Sequence, residues 1–315
     1  MIATRATFVA HAVAHPLKKD MKEKSTLIKL NNGVQMPALG LGVLRSSKEE
    51  TPKAVETAIK AGYRLIDTAA AYLNEREVGD GIRRSGVDRS EIFVTTKLWL
   101  THYGYESALR ASDSSLRKLG LDYLDLYLLH WPVPAAFDAT VESYRAAEKL
   151  LAEGRVRAIG VCNFSPQHLR NLMERTQIVP AVNQVELHPS FNQRELRETD
   201  AKFGITTQSW SPIGGAHRRA GDAQKDPLSQ PAVLQIADKY RKTPAQIVLR
   251  WHVDHGLSAI PKSVRRERIE ENIDIFDFTL SPEDLNVIDA LDTGTRSGPD
   301  PEIFDANTYP VKVED

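Results

Sequence analysis

The feature of this chain that most constrains its fold is the alternation of short apolar runs with charged amphipathic segments. Segments such as 105–120, 140–154 and 165–174 have the apolar spacing of helices, with a Ser cap or a Gly stop. The apolar runs between such segments are LGLG (39–42), RLIDTA (64–69), IFVTTKLW (92–99), LDLYLLH (124–130), VRAIGVCNF (156–164), AVNQVEL (181–187), GITTQSWSP (204–212) and SAIPKS (258–263). Strands that alternate with helices predict a parallel sheet with crossover helices.

Eight continuous apolar strands, each followed by a helix, predict an α/β fold in which one (β/α)8 barrel, a TIM barrel, buries both faces of every strand. The alternative is a doubly wound sheet, which carries a G-x-G-x-x-G turn directly before a helix. The nearest match, GLGVLR, ends in Arg45, and the helix after it begins too late for a phosphate-binding turn. We therefore reject the doubly wound sheet.

Both ends of the chain lie outside the repeating pattern. Residues 1–24 contain an apolar stretch that His11 interrupts and that basic residues follow, so we expect a disordered extension and not a signal peptide. We expect residues 25–315 to form a single barrel domain. It opens with LIKLNNGVQMP (27–37), in which Asn-Gly predicts a β-hairpin that closes the bottom of the barrel. It ends in a tail rich in Gly, Pro and Asp at about 292–315.

The composition excludes several classes of function. A net charge of −1 gives no electrostatic basis for binding nucleic acid or a membrane surface. No apolar run reaches the roughly 18 residues of a transmembrane helix. Cys162 is the single cysteine, so no internal disulfide can form, and we expect a cytoplasmic protein. The sequence contains no large apolar stretch that would predict an obligate assembly, so we expect a monomer.

Polar side chains stand at the predicted carboxyl ends of the strands, which meet at one mouth of a barrel. A single polar residue at a strand end is usually an ion pair or a cap. Several charges in a partly buried mouth are costly unless they are paired, and function is the usual reason to keep them. The residues are Asp67, Lys97, His130, Asn163, Gln184, Glu186, Trp210, Ser211, Lys262 and Ser263.

Tyr72 lies just after the second barrel strand, in RLIDTAAAYLNE. A tyrosine is protonated at neutral pH and can donate its proton, more readily beside a cation that favours the phenolate. Lys97 on the adjacent strand can supply that cation, Asp67 can hold the lysine, and His130 can donate to a substrate oxygen. This combination predicts protonation of a carbonyl oxygen by a general acid.

Several specific motifs occur in order along the chain: RLIDTAAAYLNEREVG, VTTKLW, LGLDYLDLYLLHWP, GVCNF, NQVELHP and IPKSVRRERIEEN. In these motifs the chain resembles the aldo-keto reductases, from Thr26 to about Phe304. The segments KLW and WPVPAAFDAT are most similar to the bacterial branch that includes 2,5-diketo-D-gluconate reductases. The resemblance implies an NADPH-dependent oxidoreductase that reduces small aldehydes or ketones to alcohols.

The resemblance also implies roles for individual residues. It implies a catalytic tetrad, with Tyr72 as proton donor, formed by Asp67, Tyr72, Lys97 and His130. For NADPH or NADP+ it implies the nicotinamide carboxamide at Asn163 and Gln184, the nicotinamide ring on Trp210, and the pyrophosphate at Ser211. For the 2′-phosphate and the adenosine end it implies Lys262, Ser263, Val264, Arg268, Glu271 and Asn272. The expected substrate contacts are Leu44, Trp99, His130 and Trp131.

Two positions depart from the family pattern. Cys162 stands where a serine usually precedes the asparagine of GVCNF, and a thiol is a weak donor, so one nicotinamide contact is altered. Leu44 stands where an aromatic residue often follows GLGV, which reshapes one wall of the substrate pocket.

Two other functions are compatible with a barrel of this kind. A metal-dependent hydrolase lacks support because His252 and His255 have no evident third and fourth ligand, so we expect no metal site. The alternative on the same fold is a non-catalytic NADPH-binding redox sensor or regulatory protein. The presence of all four tetrad residues argues against it.

Overall fold

The structure is a computed structural model that describes residues 26–214, 226–307 and 309–314. The predicted extension at 1–24 lies outside the described residues. The strands are β1 (Leu27–Lys29), β2 (Gln35–Pro37), β3 (Leu41–Gly42), β4 (Leu65–Asp67), β5 (Phe93–Leu98), β6 (Leu126–Leu129), β7 (Ile159–Cys162), β8 (Val182–Glu186), β9 (Thr206–Trp210) and β10 (Ser258–Ala259).

Helices alternate with these strands. They are α1 (Glu50–Ala61), α2 (Glu75–Ser85), α3 (Tyr105–Leu119), α4 (Phe137–Ala152), α5 (Pro166–Met173), α6 (Arg194–Phe203), α7 (Pro231–Tyr240), α8 (Pro244–Asp254), α9 (Arg266–Ile273) and α10 (Pro282–Asp289). Among the described residues no helix is long and apolar enough to cross a lipid bilayer.

The eight strands β3 to β10 form one parallel sheet in sequence order. Parallel bridges from Leu39 to Ala259 and from Gly42 to Lys262 join the first strand region to the last and close the sheet. Strand order never reverses, as it would in a doubly wound sheet. The predicted (β/α)8 barrel is therefore confirmed.

The predicted helices form where the sequence places their end signals. Helix α3 ends at Gly120, whose φ of 67° is left-handed and is tolerated best by glycine. Helix α5 follows Ser165, whose hydroxyl accepts from the backbone N–H of His168 in a capping box. Helix α4 begins at Phe137, three residues before the predicted start, because Phe137 packs in the hydrophobic core and extends the buried face.

The β1–β2 hairpin lies at the bottom of the barrel, as predicted. Leu30 and Val34 are hydrogen-bonded across the turn, and Gly33 there has a φ of 87°. The Asn31 side chain donates to the carbonyl of Pro180 at 2.9 Å, just before β8 begins. Because that contact lies at the amino end of a barrel strand, the hairpin closes the end opposite the mouth.

Helix α2 anchors the segment that carries Tyr72. Its first residue, Glu75, is buried and accepts a 2.6 Å hydrogen bond from Thr96, the neighbour of Lys97 on β5. Further along, Gly79 lies against the end of α3: a Cβ at this position would be 2.0 Å from the carbonyl oxygen of Leu119. The two helices can therefore approach this closely only because residue 79 has no side chain.

We predict that Gly79→Ala destabilises the protein, although alanine normally stabilises a helix by about 1 kcal/mol relative to glycine. Overpacking against a fixed backbone carbonyl should lower the free energy of unfolding by about 1–3 kcal/mol. Urea denaturation measures the change. Arg84→Ala, at an exposed position of the same helix, is the control and should stay within about 0.5 kcal/mol of the parent. A gain in stability for Gly79→Ala would contradict the packing described.

Candidate active site

Lys97 is the centre of a hydrogen-bonded group at the mouth of the barrel. Its side chain on β5 is fully buried, and its Nζ lies 2.5 Å from Asp67 Oδ1 at the end of β4. The same ammonium donates to the carbonyl of Thr68 at 2.8 Å and to the hydroxyl of Tyr72 at 3.4 Å. An ammonium has three donors, and each finds an acceptor here. A buried charge is thereby paired and hydrogen-bonded, as its desolvation requires.

Tyr72 and His130 converge on this lysine from neighbouring segments. Tyr72 ends a short 3-10 helix, Ala70–Tyr72, that follows β4 directly. His130 follows β6, and its ring lies edge-on to that of Tyr72 with centroids 5.7 Å apart. The structure thus brings all four predicted tetrad residues together, from the ends of three adjacent strands.

Burial and charge set the protonation states of this group. Burial acts to lower the pKa of Lys97, but its interactions with Asp67, Tyr72 and Cys162 together outweigh burial, so the pKa lies above its ordinary value and the lysine stays charged. Burial raises the pKa of Tyr72 to about 12, while Lys97 opposes that rise. Burial, with the charge of Lys97, holds the pKa of His130 well below its ordinary value. At neutral pH the tyrosine is therefore protonated and the histidine is neutral.

Asn163, directly after β7, and Gln184, in the middle of β8, contact the same group. Gln184 Nε2 donates to Asp67 Oδ2 at 2.7 Å, so both oxygens of that carboxylate are bonded. Asn163 donates to the carbonyl of His130 at 3.0 Å and accepts from Trp210 Nε1 at 2.8 Å. The bond between Gln184 and Asp67 was not foreseen from the sequence, because it joins residues 117 positions apart.

A basic surface lies beside this mouth, at the start of α9. Lys262 and Arg268 are exposed, whereas Ser263 between them is buried and its hydroxyl accepts from the backbone N–H of Arg265. Arg265 is the N-cap residue of α9 and provides no side-chain cap, and Val264 next to it is half-buried. Exposed cations beside a helix N-terminus are suited to bind a phosphate group.

The residues expected at the adenosine end, Glu271 and Asn272, and Ser211, expected at the pyrophosphate, lie in different surroundings. Glu271 turns toward the start of α8, where its Oε1 accepts from the hydroxyl of Thr243 at 2.9 Å. Asn272 is buried, and Ser211 has a left-handed backbone with a φ of 51° directly after β9.

Two of the expected substrate residues, Trp99 and Trp131, lie under the C-terminal tail. Trp99 Nε1 donates to the carbonyl of Val311 at 3.2 Å, and Trp131 stacks on Phe304 with centroids 3.8 Å apart. Leu44 is half-buried. The tail therefore folds over the mouth and contributes Phe304 to it, which the aperiodic tail sequence could not establish.

The histidines considered as metal ligands are structural. Both ring nitrogens of His252 contact backbone carbonyls, those of Val248 and Leu187, and His255 pairs with Asp289 at 3.0 Å. Over the ranges 26–214, 226–307 and 309–314, no cluster of three or more His, Cys, Asp or Glu side chains could hold a metal ion.

Comparison with known proteins agrees with this geometry. Residues 36–293 match the profile of the Aldo/keto reductase family. The chain is 55% identical to morphine 6-dehydrogenase of Pseudomonas putida, over 92% of this chain and 99% of that protein. It is 48% identical to methylglyoxal reductase DkgA of Escherichia coli, over 89% of this chain and 98% of that protein.

A solved structure of a Gox0644 mutant in complex with NADPH superimposes with a TM-score of 0.83 at 44% identity, over 89% of this chain and 99% of that one. The family match covers most of the chain, and the bacterial relatives match along nearly their whole length. The predicted family, bacterial affinity and NADPH-dependent reductase activity are confirmed, and the redox-sensor alternative is not favoured. The chain belongs to the aldo/keto reductase family and is an NADPH-dependent oxidoreductase that reduces carbonyl compounds.

Proposed function

We propose that Tyr72 is the proton donor of the carbonyl reduction and that Lys97, Asp67 and His130 assist it. The observation that carries the proposal is that the buried ammonium of Lys97 contacts both the Asp67 carboxylate and the Tyr72 hydroxyl. An acid, a cation that stabilises its conjugate base and a neutral hydrogen-bond donor are the groups that carbonyl protonation requires.

Each residue has a separate task in this mechanism. Tyr72, protonated because burial keeps its pKa high, donates to the substrate oxygen and transfers its proton as negative charge develops there. Lys97 stabilises the phenolate that remains, and Asp67 keeps Lys97 charged and in place. His130, neutral in its buried site, orients the carbonyl oxygen. When bound, NADPH supplies the hydride for the carbonyl carbon.

The residues at the mouth fit NADPH. We assign Trp210 to the nicotinamide ring, because its indole lies at the end of β9 and is only half-buried. Asn163 and Gln184 carry amides that can bind the carboxamide, and Ser211 lies where the pyrophosphate would pass. We assign the 2′-phosphate to Lys262, Ser263, Val264 and Arg268, of which Lys262 and Arg268 supply the positive charges. We assign the adenosine end to Glu271 and Asn272.

We further propose that the substrates are small uncharged aldehydes and ketones, in an enzyme that acts as a cytoplasmic monomer. The rings of Trp99, Trp131 and Phe304 form an apolar wall beside His130. One bacterial relative is named a methylglyoxal reductase, which supports a small dicarbonyl compound as substrate. The only cysteine, Cys162, is buried and free, as suits a reducing compartment.

We predict that Tyr72→Phe lowers kcat for aldehyde reduction by about 10²–10⁴-fold, the usual contribution of a general acid. NADPH binding should be nearly unchanged, because the substitution removes only the proton-donating hydroxyl. Steady-state NADPH oxidation and a fluorescence titration measure the two quantities.

Tyr144→Phe is the matched control, because the buried hydroxyl of Tyr144 has no hydrogen-bond partner among the described residues. It removes the same atom from the core and should leave kcat within about twofold of the parent. Full turnover by Tyr72→Phe would show that another group donates the proton.

We predict that Lys262→Ala combined with Arg268→Ala removes the preference for NADPH over NADH. Each cation contacts a phosphate that NADH lacks, so the Kd of NADPH should rise by about 10- to 100-fold while that of NADH changes little. Arg84→Ala combined with Lys53→Ala, two exposed cations on α2 and α1, is the control for the loss of two positive charges. An equal loss of affinity for both cofactors would contradict the phosphate assignment.

We predict that kcat/KM is higher for methylglyoxal and aryl aldehydes than for keto acids and sugars, because a carboxylate or a hydroxyl-rich chain would lose hydration against the aromatic wall. A screen of NADPH oxidation over these four classes tests this. A preference for keto acids would indicate an unpaired cation within reach of the substrate carboxylate and contradict the substrate class, while leaving the proton donor unaffected.

A further inference from the structure

Glu186 is a buried carboxylate at the mouth that none of the proposed roles uses. It ends β8 and is the register partner of Trp210 on the neighbouring strand β9. Its Oε1 accepts from the backbone N–H of Ser297 at 2.8 Å and from the hydroxyl of the same residue, and its Oε2 accepts from the N–H of Gly298 at 2.9 Å.

Two side chains complete the surroundings of this carboxylate. His188 Nε2 lies 3.2 Å from Oε1, and the guanidinium of Arg296 lies 3.9 Å from Oε2. Burial acts to raise the pKa of Glu186, but the hydrogen bonds from His188 and Ser297 lower it to about 2. The carboxylate is therefore ionised throughout the pH range of an enzyme assay, and it holds two successive backbone N–H groups of the tail.

The tail residue held in this way lies directly against the indole of Trp210. A Cβ at Gly298 would be 2.5 Å from Cη2 of that indole and 3.0 Å from Glu186 Oε2. Only glycine allows this approach. The opposite edge of the indole is also fixed, because Trp210 Nε1 donates to Asn163 Oδ1 at 2.8 Å. Both edges of the ring are thus in contact with defined groups.

We infer that Glu186 and Gly298 are positioning residues that set the orientation of the Trp210 indole for cofactor binding. The inference rests on the proposed function, in which this indole stacks on the nicotinamide. Stacking requires two rings to lie face to face at contact distance, so a tilt of the indole weakens it. The Glu186 carboxylate holds the backbone of Gly298 at the edge of the indole, and the absence of a Cβ there leaves room for that edge.

This role is distinct from a general attachment of the tail. The tail is held at other points, among them the contact of Val311 with Trp99 and the pairing of Glu302 with His168 at 3.4 Å. Loss of the Glu302 contact would loosen the tail without moving Gly298 from the indole. Substitutions of Glu302 and of Glu186 therefore separate attachment of the tail from positioning of the indole ring.

The test introduces Glu186→Gln and Gly298→Ala into the full chain, with Glu302→Gln as control. The Kd of NADPH is measured by titrating the emission of the dihydronicotinamide, excited directly so that no tryptophan is needed. Both variants should raise Kd by about tenfold, and the control should stay within about twofold. Melting temperatures measured without cofactor show whether each variant is folded. If only one of Glu186→Gln and Gly298→Ala folds, that variant alone is enough for the test.

The same substitutions are then made in a Trp210→Phe background. A phenyl ring lacks the outer edge that Gly298 contacts, so neither substitution should change Kd by more than about twofold there. If the tenfold losses persist in this background, the effect comes from the tail or from folding, and the inference is wrong. If Trp210→Phe weakens binding but Gly298→Ala and Glu186→Gln do not, the inference also fails, while the proposed cofactor site stands.

A third result separates the two proposals. If Trp210→Phe itself leaves the Kd of NADPH unchanged, the indole has no part in cofactor binding. The assignment of Trp210 in the proposed function is then wrong, and the positioning inference fails with it.

Discussion

The ion pair between the Lys97 ammonium and the Asp67 carboxylate is the interaction on which the rest of the site depends. It is fully buried, and removal of one partner from such a pair costs about 3–5 kcal/mol because the other charge is left without compensation. Gln184 occupies the second oxygen of Asp67, so strands β4, β5 and β8 are joined through one carboxylate. The same lysine contacts Tyr72, so the contacts that stabilise the barrel mouth also position the proposed general acid.

The tail completes what the barrel strands begin. Phe304 stacks on Trp131, and Trp99 donates to the backbone at Val311, so the wall beside His130 is built from two distant parts of the chain. At the other side of the mouth, Glu186 holds Gly298 against the Trp210 indole. Specific contacts of the tail therefore lie at both the expected substrate side and the expected cofactor side.

Prediction from the sequence worked best where local chemistry decides the outcome. The Ser-Pro start of α5 and the Gly120 end of α3 could be read directly, because caps and left-handed glycines are local features. The sequence pattern predicts the start of α4 three residues too late, because the burial of Phe137 depends on neighbours that the local pattern does not contain. Likewise, Glu271 faces Thr243 of a neighbouring helix, a contact that only the packing of α8 and α9 creates.

By itself, the sequence determined the alternation of strands and helices, and hence the barrel, because periodicity and end signals are properties of short segments. It also determined that Asp67, Lys97 and His130 share one mouth, because strand ends of a barrel converge. The sequence also suggested that Lys97 lies between Asp67 and Tyr72. Only the tertiary structure decided the distances of those contacts, the bond from Gln184 to the same carboxylate, and the position of the tail over the mouth. These contacts join residues separated by up to about two hundred positions along the chain, and packing in three dimensions, which no local pattern encodes, brings them within hydrogen-bonding distance.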